Sequence, residues 1–262
     1  MKIPRLLFHV IEDPHVMPAL PGYRGEVASE ISERALGGRA MPVMASRRAQ
    51  LLDAVAETEM LLNRVAAEYA RPRYSTEWDE LDIFVFQSTL DHPDPPKVRG
   101  VMGFYNDGPE GPLKFAPYMD LYVLPGAEDR LSASALHEFG HFLRSRAAWQ
   151  LESKAFVYRV FEEGLSEHLV GLTLGPEHVI HSAPLSGPEL EMLLQQVTLS
   201  RRDVLEKDSQ PEKSLQSYQL GYHVVQRLLN AGEVLADLVK LPLPETGSLV
   251  QLHTKALLEL QA

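Results

Sequence analysis

Residues 135–146 read ALHEFGHFLRSR, and no other stretch limits so tightly what the chain can build. Side chains four apart share one face of an α-helix. His137 and His141 therefore project together, while Leu136, Phe139 and Leu143 fall on the opposite side. The pattern predicts an amphipathic helix over 130–148 whose polar stripe is a pair of imidazoles. Imidazole is the commonest protein ligand for metals such as zinc. The H-E-x-x-H spacing lets two rings reach one ion, while Glu138 stands about 100° round the helix, beside the metal. The competing reading is two surface histidines with an unrelated glutamate between them. A catalytic zinc needs a third protein ligand, with water in the fourth position. The 262 residues contain no cysteine, so that ligand must bind through nitrogen or oxygen, and no disulfide framework exists.

The expected third ligand lies in KAFVYRVFEEGLSEHLVGLTLG (154–175), which reads as a helix apolar on nearly every side. Glu163 shares its half of the cylinder with Phe156, Val160 and Val170. An unpaired carboxylate in such surroundings costs several kcal/mol or takes up a proton, whereas ligation to zinc compensates it. Glu167, one turn later, is placed to accept the spare ring N–H of a ligand histidine. Glu162 is about 100° away and faces solvent. The alternative makes Glu162, Glu163 and Glu167 a solvated acidic stripe.

Around these helices the pattern predicts an α+β protein. SRRAQLLDAVAETEMLLNRVAAEYAR (46–71) has helical periodicity and follows an irregular N-terminal arm, 1–45. LDIFVFQ (81–87), VRGVMGFY (98–105) and MDLYVL (119–124) are rich in branched and aromatic residues and are expected to form one small sheet. From about residue 128 the pattern turns helical, with candidate helices at 130–148, 152–174, 188–200, 214–230, 232–240 and 250–260. The proline-rich stretch at 91–97 is a loop, and there is no internal repeat. A single domain over 1–262 is expected, with a helix and sheet part at 46–127 and an active-site and helical part at 128–262.

Hydrophobic residues make up 45% of the chain, which is ample for a core. The formal charge of −11 argues against nucleic acid or an anionic membrane as partner, because both need clustered Lys and Arg. Arg144 and Arg146 form only a small local basic patch. The opening residues do not read as a signal peptide, and no apolar run is long enough to span a bilayer. A soluble, cytoplasmic protein is expected. Of the other histidines, His178 and His181 lie in a Pro-flanked loop, and His9, His15, His92, His168 and His253 stand alone. Surface or capping roles are expected for each.

HEFGH followed, after 21 intervening residues, by EGLSE resembles the gluzincin metallopeptidases, in which a second helix after H-E-x-x-H supplies a glutamate. GVMGFY (100–105), ALHEFGHFLR (135–144), FEEGLSEHL (161–169) and SYQLGYHVV (217–225) are similar to successive blocks of a group of predicted zinc-dependent bacterial proteases in that clan. The resemblance spans roughly residues 80–230. It implies a zincin-like fold, with a small mixed sheet over the H-E-x-x-H helix and a mainly helical C-terminal part. It also implies a peptide or protein substrate. A metzincin would carry Gly at 144 and His at 147, where this chain has Arg144 and Ala147, and the G-A-M-E-N stretch of one aminopeptidase group is absent.

In such an enzyme Zn2+ on His137, His141 and Glu163 activates water, with Glu138 as general base. MDLYVL is either the edge strand that aligns a peptide or an interior strand. An oxyanion donor is expected among Tyr218, Tyr222 and His223, and the resemblance favours Tyr218. The rival functions are a non-catalytic zinc-stabilised binding protein and a hydrolase of a non-peptide amide.

Overall fold

The structure, a computed structural model, describes residues 4–14, 40–69, 80–89, 100–106, 117–148, 156–198 and 211–260. The loop at 91–97, His15 and His92 lie outside them. The chain forms two compact units, residues 1–142 and 143–262.

The first unit is built on a mixed sheet. Its strands are β1 (Arg5–Ile11), β2 (Ala40–Met41), β3 (Glu80–Ser88), β4 (Val101–Asn106) and β5 (Tyr118–Val123). The order is β1-β3-β5-β4. β1, β3 and β5 run parallel, β4 runs antiparallel to β5, and β2 pairs antiparallel with the end of β3. β3 and β5 are buried almost residue for residue, as expected of strands covered on both faces. β5 is therefore the interior strand of the two alternatives, and β4 is the edge on that side among the described residues. The N-terminal segment departs from expectation. Arg5–Ile11 is not an irregular arm but a sheet strand, in register with Glu80–Phe86.

Side chains alternate across a strand, so β4 sends Met102 and Phe104 to one face and Gly103 and Tyr105 to the other. Met102 joins Ile11, Phe84, Phe86, Tyr118 and Tyr122 in an aromatic-rich core, with Phe104 packed against it. Asp120 is buried on that face, where Asn106 Nδ2 and the Tyr122 hydroxyl donate to its two oxygens at 2.9 and 3.1 Å. The opposite face meets the helices. α1 (Arg48–Tyr69) packs against β1, and α2 (Leu131–Ala148) lies under β4. Ser134 Oγ donates to the Val101 carbonyl at 3.3 Å, and the rings of Tyr105 and Phe142 meet edge to face. Thr58 of α1 and Ser132 of α2 bond hydroxyl to hydroxyl at 2.8 Å.

The second unit is helical: α3 (Phe156–Leu174), α4 (Gly187–Thr198), α5 (Pro211–Asn230), α6 (Leu235–Leu238) and α7 (Leu243–Glu259). The helix expected over 232–240 is only the single turn of α6. The last helix begins well before residue 250, where Pro242 and Pro244 open it. α3 is the centre of this unit and packs chiefly on α5. The two helices nearly touch backbone to backbone. A Cβ on Gly164 would overlap the carbonyl oxygen of Gly221, and one on Gly221 would overlap that of Val160. No helix among the described residues is long and apolar enough to cross a membrane.

An exposed mid-helix Gly→Ala change gains up to about 1 kcal/mol from helix propensity. At Gly221 the backbone overlap outweighs that gain. Gly221→Ala is expected to lower unfolding stability by roughly 1–3 kcal/mol, the usual range for overpacking, as read from the urea midpoint. A variant as stable as the parent would contradict the close helix approach.

Candidate metal centre

α2 contributes two histidines and a glutamate from the first unit. Its apolar side is driven into the core, with Leu136, Phe139 and Phe142 fully buried, and this leaves the imidazole side half-buried. The rings of His137 and His141 lie 5.1 Å apart, centroid to centroid, and nearly at right angles. Glu138 is seated against the edge strand. A Cβ at position 103 would stand 2.6 Å from Cγ and 3.0 Å from Oε1 of Glu138, so Gly103 is what leaves room for this carboxylate at β4. Nothing in GVMGFY read alone marks Gly103 for that role, because the contact depends on the register of β4 over α2.

α3 contributes from the second unit. Glu163, Gly164, Leu165, Ser166, Glu167, His168, Leu169 and Val170 are all buried in succession. Glu163 is thus inside the helix packing, and Glu162 beside it is half-buried rather than fully turned to solvent as the helical phase alone suggests. Arg159, one turn before Glu163, places Nε 3.6 Å from Glu163 Oε1. Glu167 Oε2 accepts the backbone N–H groups of Ile180 and His181 at 3.0 and 3.3 Å, which ties the 179–186 segment down on α3.

His137, His141 and Glu163 each offer one ligand atom, all within 4.8 Å of one another, and together they could hold a metal ion. Among the described residues they are the one such group. Two imidazoles and a carboxylate, with no thiolate available, make a donor set suited to a divalent first-row metal with an open coordination position.

Several residues behave differently from the expectation for their type. Arg144 is not part of a surface basic patch. It is 1% exposed and donates through Nη1 to the carbonyls of Val239 and Leu241 and through Nη2 to Thr246 Oγ1. Burial lowers its pKa to about 10, with the Glu162 carboxylate pulling the other way. The helical phase carried the signal, since Leu136, Phe139, Gly140, Leu143 and Arg144 follow the i, i+3, i+4, i+7, i+8 pattern of one buried face. His168 and His181 are also buried rather than at the surface. His168 stacks on Tyr222 at 4.5 Å and places Nε2 2.9 Å from the Tyr222 carbonyl, and His181 packs its ring 4.6 Å from that of Tyr218.

Of the three expected oxyanion donors, Tyr218 is half-buried against His181. The Tyr222 hydroxyl is 3.4 Å from Gln226 Oε1, and His223 Nε2 is 2.8 Å from the Ala183 carbonyl. The chain matches no family model, and no curated protein matches it.

Burial pushes the His168 pKa below its ordinary 6.5, against the smaller opposing effects of the Tyr222 carbonyl and the Glu167 carboxylate. The unfolded chain therefore binds the proton more readily than the folded one. This contribution to stability is complete above pH 6.5 and is lost as the pH falls from there through the folded-state value. Unfolding free energy measured by urea titration is expected to drop with acidification over that window, and His168→Gln should flatten the drop. An unchanged slope in the variant would mean that the acid sensitivity lies elsewhere.

Proposed function

We propose that this protein is a zinc-dependent peptidase of the gluzincin kind, with the zincin-like arrangement of a small mixed sheet over the H-E-x-x-H helix within one domain, 1–262. The observation that carries the reading is the convergence of His137, His141 and Glu163 on one point. Zinc held by these residues supplies a Lewis acid and a coordinated water whose pKa falls toward about 7.

Glu138 is the general base in this reading. Its carboxylate, held over Gly103, takes a proton from the attacking water and delivers it to the leaving nitrogen. A structural metal site has no use for such a base, which is why catalysis is preferred to a purely stabilising role. β4 rather than β5 is the strand assigned to align an extended peptide or protein substrate, because β5 lies between β3 and β4 while β4 ends the strand order among the described residues. Glu138 meets that strand at Gly103, so base and docking edge adjoin.

Glu167, whose Oε2 accepts the backbone N–H groups of Ile180 and His181, is assigned the orientation of a ligand histidine. Tyr218 is assigned as the donor to the oxyanion that develops on the scissile carbonyl. The resemblance favours Tyr218 over Tyr222 and His223. The cytoplasm is the proposed compartment.

Glu138→Gln is expected to retain the parent's zinc content and melting behaviour while cleavage of a mixed peptide library falls by about a hundredfold or more. A fully active Glu138→Gln protein would remove this mechanism.

A further inference from the structure

We infer that Arg159 is an internal competitor for Glu163, and that it sets how tightly the chain takes its metal; this rests on the reading of His137, His141 and Glu163 as a metal site. Arg159 precedes Glu163 by one helical turn on α3, with Nε 3.6 Å from Oε1. The two side chains are unequal in exposure, 48% for Arg159 and 5% for Glu163. The carboxylate is shut off from water, where a nearby cation offsets the cost of its charge, whereas the guanidinium sits on a long stem with solvent beside it.

A divalent ion on Glu163 changes that balance. The carboxylate charge is then neutralised by the metal, and the net positive charge of the centre repels the guanidinium. The attraction between Arg159 and Glu163 favours the metal-free form, and the repulsion between Arg159 and the ion disfavours the loaded form. Both weaken metal binding, and by reciprocity the metal weakens the hold of Arg159. The consequence is a site that stays charge-balanced without its ion and loads only when free metal is high enough to displace the arginine. The buried guanidinium of Arg144 does not share the role, because it is committed to the carbonyls of Val239 and Leu241 and to Thr246.

The test uses the full chain, stripped with a chelator and titrated with zinc against a chromophoric competitor. Arg159→Gln is expected to bind zinc roughly three- to thirtyfold more tightly than the parent, the span between a weak and a partly buried ion pair. Arg159→Lys should return toward the parent affinity. The metal-free Arg159→Gln protein should melt at a lower temperature than the metal-free parent, whereas the zinc-loaded variant should melt at or above the zinc-loaded parent. Zinc affinity that is unchanged or weakened in Arg159→Gln would overturn the inference while leaving the metal site standing. A parent and variant that both fail to bind stoichiometric zinc would overturn the metal reading and the inference together.

Discussion

Burying two carboxylates one turn apart in the central helix of a unit is the constraint around which the 143–262 region is organised. Glu163 and Glu167 sit within a run of eight buried residues on α3. Neither can stay charged there without partners, since isolated burial costs more than packing returns. Each partner shapes the structure nearby. The 179–186 segment turns back so that two backbone N–H groups reach Glu167, and this brings His181 onto Tyr218. Arg159 folds toward Glu163. Gly164 stands between the two carboxylates, and with Gly221 it lets α5 approach close enough to bring Tyr218 and Tyr222 along the same side.

A parallel economy governs the 1–142 region. α2 drives Leu136, Phe139 and Phe142 into the core, and the residues left over on the other faces are His137, Glu138 and His141. The chemistry-bearing stripe is thus positioned by hydrophobic burial, because the phase of the helix is set by its most apolar side chains. The absence of a side chain at Gly103 then decides how near Glu138 comes to the edge of the sheet.

Much of this was legible in the chain because the relevant signals are local. The 3.6-residue period marked α1, α2, α3 and α5, and the runs at 81–87, 98–105 and 119–124 marked three of the strands. The grouping of His137, His141 and Glu163 follows from i, i+4 spacing and from a carboxylate set among apolar residues. What was not legible depends on partners distant in sequence. β1 pairs with a strand some seventy residues away, so LLFHVI carries no local mark of its place. MDLYVL reads alike as an edge or an interior strand, and only its pairing with both β3 and β4 decides. Arg144, His168 and His181 are buried against the surface preference of their residue types, because helical phase or loop docking outweighs that preference. Arg144 and His168 each continue a buried apolar face in phase, and His181 is drawn inward by Glu167 from a loop with no periodicity of its own.

Metal content after exhaustive dialysis of two variants distinguishes Glu163 from its neighbour as the third ligand of the proposed site. Glu163→Ala is expected to emerge without zinc while Glu162→Ala keeps one equivalent, because removing one of three ligands is severe and removing a half-buried bystander is not. Stoichiometric zinc in Glu163→Ala, with its loss in Glu162→Ala, would contradict the assignment and mean that the carboxylate at the metal is the one a helical step away.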